Sequence, residues 1–231
     1  MRLTARFVAL ALVTATACGG NDAAPPRAAP TQDITVERAV RIARAAVLRA
    51  ADLPGYKASA AEGDGTEDGG SGGYGTCLRF EDHLGNHSAT FKKGTVTVSS
   101  FGGAAATAAT TEKELAYLAG PDFADCFERF LNGLLSGARI AVVKYASRQV
   151  PLRVRGADEA TALSVRFTME KYGARFPSRA FFAAASTGHA TSFVMAFGAG
   201  KEQPPSLDRL TALLTRAVGR ARAAERRPGT L

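Results

Sequence analysis

The chain has 231 residues, 46% of them hydrophobic and 22% charged, a balance that excludes a chain too polar to build a core. Lys and Arg number 29 against 21 Asp and Glu, a net charge of +8. The basic residues are dispersed, without the dense block and interleaved aromatics expected of a nucleic-acid surface, and no internal repeat is visible.

Arg2 and Arg6 precede an apolar run from Phe7 to Val13, followed by small residues, Thr14 to Ala17, and then Cys18. A charged start, a short apolar stretch and a small-residue site define a secretory signal. The stretch is too short to span a bilayer, which takes about 20 apolar residues. Cys18 directly after the small residues makes the site a lipobox, with Ala15 where leucine is commoner. Residues 1–17 are therefore expected to be a cleaved signal peptide, and Cys18 the lipidated anchor at the outer face of the cell membrane. The alternative is a plain secretory signal with a fortuitous cysteine. Two or three acyl chains hold a protein stably where one is marginal. Residues 18–31, with Pro25, Pro26 and Pro30, read as a spacer. Loss of Arg2 and Arg6 leaves 27 bases and a charge of +6. Such a surface is drawn to anionic lipid, although a solvated basic surface is the plainer reading. Export also argues against a nucleic-acid partner.

Residues 32–225 have the length of one domain, with 226–231 as a tail. Val36, Val40, Ala43 and Val47 recur at helical spacing, predicting a helix from about Val36 to Ala51; Leu53-Pro54-Gly55 ends it. Residues 62–75, rich in Gly, Asp and Glu, read as a loop. Cys77 to Asp82 is expected to be a strand, Leu84-Gly85-Asn86 a turn, and Ala89 to Phe91 a return strand. Thr95 to Phe101 alternates like a half-buried strand. Two helices follow, from about Ala105 to Leu118 and from Pro121 to Leu135. The second sets Phe123, Phe127, Phe130, Leu131 and Leu134 on one face, with Pro121 as a good first residue and Gly137 as the stop.

The second half is strand-rich. Arg139 to Arg148 is one strand. In Thr161 to Met169, Leu163, Val165, Phe167 and Met169 alternate with Ala162, Ser164, Arg166 and Thr168. Arg179 to Ser186 and Ala190 to Phe197 flank a hairpin turn, Thr187-Gly188-His189. Ser206 is a natural N-cap for a last helix with Leu207, Leu210, Leu214, Ala217 and Ala221 as its apolar stripe. Consecutive strands joined by short turns imply an antiparallel sheet with helices packed on it, an α+β fold.

There are 3 cysteines. With Cys18 assigned to lipid, Cys77 and Cys126 are left to pair in an oxidising compartment. Closing a loop of about 50 residues is worth about 4 kcal/mol in the chain-entropy picture. Two buried free thiols are the alternative.

No catalytic set emerges. Gly69-Gly70-Ser71-Gly72-Gly73 matches G-x-S-x-G, but a nucleophile elbow needs an apolar strand before it and a helix after it. An acidic loop precedes this one and a cysteine-bearing strand follows. Nor does Gly-Lys-Ser/Thr follow, as a phosphate loop requires. Asp64 to Gly69 imitates a calcium loop, yet Gly75 stands where the bidentate Glu belongs. His83 and His87 are four apart beside Glu81 and Asp82, but a turn there removes the geometry zinc requires. His189 sits in a turn without an obvious partner. Asp158, Glu159, Glu170 and Lys171 lie beside turns and read as solvated surface. Phe181, Phe182, Phe193 and Phe197 are expected on one sheet face, as core or as the lining of a ligand groove. No metal and no cofactor are expected.

Several ordered segments resemble the actinobacterial sensor-domain lipoproteins, which are similar to PknH-type extracellular sensor domains and LpqN-type envelope lipoproteins. They are Ala51-Asp52-Leu53-Pro54-Gly55-Tyr56, Cys77, Val96-Thr97-Val98-Ser99-Ser100, Asp122-Phe123-Ala124-Asp125-Cys126 and Gly156-Ala157-Asp158-Glu159-Ala160-Thr161-Ala162-Leu163, then the late hairpin and the arginine-rich last helix. The likeness spans about residues 35–225. It implies a PsbP-like α/β/α sandwich with a cleft for a ligand or partner, and it transfers no catalytic residue. The family's sensor domains use two bridges, whereas this chain has cysteines for one, and it carries neither a kinase domain nor a membrane-spanning helix. The expected role is a non-enzymatic binding or accessory module in the cell envelope, taking a lipid, a glycan or a protein. A carrier of hydrophobic molecules and a secreted hydrolase or transferase are the alternatives. A deep apolar cavity would mark the carrier; converging Ser, His and Asp or Glu would mark the enzyme.

Overall fold

The computed structural model describes residues 34–59, 77, 82–137 and 139–227. The expected signal peptide, Cys18, the spacer, the whole loop at 62–75 with its Gly-rich and acidic motifs, residues 78–81 of the expected strand and residues 228–231 lie outside the described residues.

Helix α1, Val36–Ala45, starts where the Thr35 hydroxyl accepts from the Arg38 amide at 3.3 Å. It stops short of the expected Ala51. Val47 and Leu48 are each 2% exposed, and the Leu48 amide donates to Ser100 Oγ on the sheet at 3.0 Å. Burying those side chains against the sheet takes the chain out of the helix, and a 3-10 turn at Ala50–Asp52 follows.

The strands are β1, Lys57–Ala58; β2, His83–Lys93; and β3, Val96–Ala105. Helices α2, Ala108–Ala119, and α3, Pro121–Gly137, come next. The chain then makes β4, Ala141–Pro151; β5, Glu159–Lys171; β6, Ala174–Thr187; β7, Ala190–Ala199; and α4, Leu207–Arg226. They form one seven-stranded sheet in the order β1-β2-β3-β7-β6-β5-β4, antiparallel at every pairing. Helices α1 and α4 cover one face over β2, β3, β6 and β7, while α2 and α3 cover the other over β4, β5 and β6. The protein is therefore a mixed α+β domain with its sheet between two helical layers.

One expected turn is absent. Leu84-Gly85-Asn86 belongs to the continuous strand β2, with a register shift between His83 and Gly85. Gly85 is there for contact, since a Cβ would sit 2.6 Å from the Val40 amide nitrogen of α1. At Gly102 of β3 a Cβ would collide with the Ala43 carbonyl. Two glycines thus let α1 lie with its backbone against the sheet. Cys77, expected to open a strand, lies in a turn.

Strand alternation divides the core. Phe181 joins Ala183, Ala185, Val194 and Ala196 under α4. Phe182, Phe193 and Phe197 point to the other face, with Phe123, Phe127 and Leu131 of α3. The four phenylalanines therefore do not share one face, because adjacent residues of a strand cannot.

Arginines latch α1 to α4. Arg38 donates to the Glu225 carbonyl at 2.6 Å and Arg41 to the Arg227 carbonyl at 3.4 Å, at the end of α4. In return Arg220 of α4 donates to the Ala45 and Val47 carbonyls at the end of α1, and its Nη2 lies 3.0 Å from Asp52 Oδ2. Each helix supplies cations to the other's carbonyl-rich end, where the helix dipole favours positive charge.

Candidate functional site

Helix α4 reaches β6 and β7 but leaves β4 and β5 uncovered on its face of the sheet. Register sets what that bare surface carries. Ala146, Arg166, Arg179 and Gly198 form one cross-strand row, and Lys144, Thr168 and Pro177 form the next. Cross-strand partners share a face, so Lys144, Arg166 and Arg179 stand together above the strands.

The chain after β7 closes the side of this surface. A Cβ at Gly198 would meet the Glu202 carbonyl at 2.7 Å and Pro204 at 2.8 Å, so the absence of a side chain there lets the loop lie across the strand. The loop is fixed at both ends. The Gly200 amide donates to the Pro177 carbonyl at 2.9 Å. Glu202 accepts from the amide and the hydroxyl of Thr95, contacts that hold its carboxyl below the usual range.

The result is an open groove of about 620 Å³, lined by Lys144, Arg166, Thr168, Ser178, Arg179 and Gln203 among others. Among the described residues, Lys144 and Arg166 have no acidic partner, and Arg179 lies over the Phe181 ring at 5.9 Å. The next rows lead to the β5–β6 turn. There Tyr172 is 85% exposed and Phe176 44%, and Tyr172 and Gly173 take φ of 52° and 77°, as a tight hairpin turn requires. Phe176, opposite Met169, lies on the other face of the sheet; guanidinium groups without an acidic partner among the described residues suit an anionic ligand.

Beneath the groove floor, Tyr145 and Gln149 of β4 point to the opposite face. Tyr145 donates to the Ala124 carbonyl at 3.3 Å and Gln149 to the Leu118 carbonyl at 3.1 Å. Burial, with smaller effects from Ser147, Glu128 and Asp125, pushes the Tyr145 hydroxyl up to about 12, so it stays neutral and serves as a donor. These bonds hold the floor to α2 and α3.

The histidines expected at a turn are on a strand, and the irregularity at its start separates them. His83 packs on Gly103, where a Cβ would collide with its ring, with Nε2 2.7 Å from Glu114 Oε1 of α2. His87 pairs with Gly102 and lines a groove with Arg44, Arg49 and Leu48 on the α1 side. The two imidazoles thus face opposite sides of the sheet. Among the described residues no cluster of His, Cys, Asp or Glu is placed to hold a metal.

Glu114 also accepts from the Thr191 hydroxyl at 3.0 Å. Hydroxyl, carboxylate and imidazole therefore converge, but the hydroxyl meets the carboxylate and the His83 side chain is 0% exposed. Nucleophilic catalysis needs the hydroxyl on the base.

His189 has partners. Its amide donates to Glu225 at 2.8 Å and its Nδ1 lies 3.1 Å from the Ala105 carbonyl. Asp158 accepts from the Gly188 amide at 2.8 Å and from Arg222 at 2.6 Å, which makes it a clamp on the β6–β7 turn. Glu170 pairs with Arg175 at 2.8 Å, Lys171 lies over the Tyr172 ring at 5.5 Å, and Glu159 stands across from Ser186 at the start of β5. A disulfide joins Cys77 to Cys126 of α3.

Under α3 an apolar pocket of about 170 Å³ is lined by Phe127, Phe130, Leu131, Leu135, Met195 and Phe197 among others. It falls below the 300–1,000 Å³ typical of small-molecule sites.

Sequence reasoning missed the groove. Arg166 is visible as the polar half of an alternating strand, but its alignment with Lys144 and Arg179 depends on pairing across three strands.

No family model matches the chain, and no curated protein matches it. Among solved structures, the extracellular domain of PknH from Mycobacterium tuberculosis is similar at 12% identity and a TM-score of 0.43, covering 84% of this chain and 99% of that one. A Pseudomonas aeruginosa protein of unknown function, PA94, is similar at 10% identity and a TM-score of 0.21, covering 63% of this chain and 83% of its own. No helix among the described residues is long and apolar enough to cross a membrane.

Proposed function

We propose that this chain is a lipid-anchored, extracytoplasmic, non-enzymatic binding module of the cell envelope, and that the β4–β6 groove takes an acidic envelope glycan. One observation carries the ligand class: Lys144, Arg166 and Arg179 share a groove of about 620 Å³ with no carboxylate among its lining residues. Pairing their charges falls to a ligand, and guanidinium groups match phosphate and carboxylate in fork geometry. The carrier reading is disfavoured by volume, since the apolar pocket under α3 among the described residues holds only about 170 Å³. The enzyme reading is disfavoured by the order of Thr191, Glu114 and His83. The lipid anchor rests on the lipobox at Cys18.

Calorimetric titration with an oligogalacturonate, against a neutral glucan of equal length, tests the groove. The charged oligomer is expected to bind in a salt-dependent manner, and Arg166→Ala with Arg179→Ala to weaken it at least tenfold. Equal binding of both probes, or an unaffected double variant, would sink the assignment. Mass spectrometry of the membrane fraction should find Cys18 acylated; an unmodified Cys18 in the medium would refute the anchor.

A further inference from the structure

A second basic groove, of about 600 Å³, runs between α1 and α4. Five arginines line it, Arg41, Arg44, Arg49, Arg220 and Arg227, against one acid, Glu37. Arg41 reaches the Arg227 carbonyl, and Arg220 neutralises the buried Asp52. Arg44, Arg49 and Arg227 are exposed, and no ion pair joins Arg49 or Arg227 to an acid among the described residues. Glu37 is held in its charged form by hydrogen bonds from the backbone and Thr35, so the local balance still favours cations. Val36 is 51% exposed. It sits one helical turn before Val40, which lines the groove.

We infer that the α1–α4 face is a docking surface for anionic phospholipid headgroups. The inference rests on the lipid-anchor reading, because α1 is the first described helix after Cys18. Only about 16 residues separate Cys18 from Ile34, so an anchored chain keeps α1 within roughly 55 Å of the bilayer. Guanidinium groups pair with phosphate oxygens two at a time. An exposed valine beside arginines gives an apolar foothold at the headgroup boundary. Each cation brought to an anionic leaflet adds roughly fivefold to membrane affinity, but only within a Debye length of about 8–10 Å. The position of the arginines therefore matters more than net charge.

The chain has no tryptophan, so Ala223→Trp, an exposed position in this groove, supplies a single fluorescent probe. The full-length lipidated protein carrying it is reconstituted on two sets of brominated vesicles, phosphatidylcholine alone and phosphatidylcholine with phosphatidylglycerol at 7:3. Fluorescence is expected to fall at least twofold on the anionic vesicles and to stay unquenched on the neutral ones, with the quenching lost in high salt. Arg49→Glu with Arg227→Glu is expected to abolish it. Arg166→Glu with Arg179→Glu, the same charge change in the β4–β6 groove, is expected to leave it intact. Equal fluorescence on both vesicles, or loss of quenching in both double variants alike, overturns the docking face. Protein that fails to attach to neutral vesicles but is quenched on anionic ones overturns the anchor and leaves the docking face standing.

Discussion

The α1–α4 latch and the β4–β6 groove use the same residue type for opposite purposes. Arg220 is spent on carbonyls and on Asp52, a side chain only 8% exposed, and the two helices close over the sheet. Arg166 and Arg179 stand on the part of the sheet face that α4 does not reach, and no acid among the described residues pairs with them. An abundance of arginine therefore says little about function, and what each guanidinium touches says a good deal. Where partners exist within the chain, charge is architecture; where they are missing, the surface is left for something else.

Removing the latch should give the largest effect. Asp52→Ala strips Arg220 of its buried partner and is expected to cost about 4 kcal/mol, read as a lower urea midpoint, while groove binding per folded molecule stays unchanged. A loss under about 1 kcal/mol would erase the contrast between paired and unpaired arginines.

Gly102→Ala comes next. Its new methyl would press on the Ala43 carbonyl and is expected to cost about 2–3 kcal/mol as overpacking. Thermal unfolding at neutral pH reads this, and an unchanged midpoint would mean that α1 lies farther from β3.

Glu225 sharpens the comparison through pH. Burial raises its carboxyl above the usual 4.5, with the His189 amide partly offsetting this. The native state therefore keeps this proton to higher pH than the unfolded chain does. The associated stability is present below about pH 4.5 and is lost as pH rises through the raised value. Glu225→Gln keeps an acceptor for His189 and removes the titration. Its urea midpoint should gain on the parent between pH 4 and pH 8, and a widening deficit would contradict the sign.

The smallest stability effect belongs to the groove. Arg166→Ala with Arg179→Ala should stay within about 0.5 kcal/mol of the parent while losing the binding described above. A large loss of stability would show these arginines to be structural after all.

Much of the fold is legible in the sequence because its periodicities are local. Leu163, Val165 and Phe167 announce β5, and Phe123, Phe127 and Leu131 announce the buried stripe of α3. The pairing of Cys77 with Cys126 follows from the cysteine count once one thiol is set aside. What escapes is information held between elements. Gly85-Asn86 carries turn chemistry, yet Gly85 is a strand residue because α1 approaches it. His83 and His87 look like a pair until the register shift places them on opposite faces. Arg166 gains its meaning only from Lys144 and Arg179, which no single strand reveals.

The shift in pairing between Val142 and Lys144 has a wider consequence. Strand β4 is the outer edge of the sheet and runs for 11 residues, long enough to recruit a strand from another molecule. Its irregular start, the outward charges of Lys144 and Arg148, and the missing amide proton of Pro151 at its end all discourage such recruitment. The outer edge at β4 is thus built to resist joining a strand of another molecule, and among the described residues the sheet ends there.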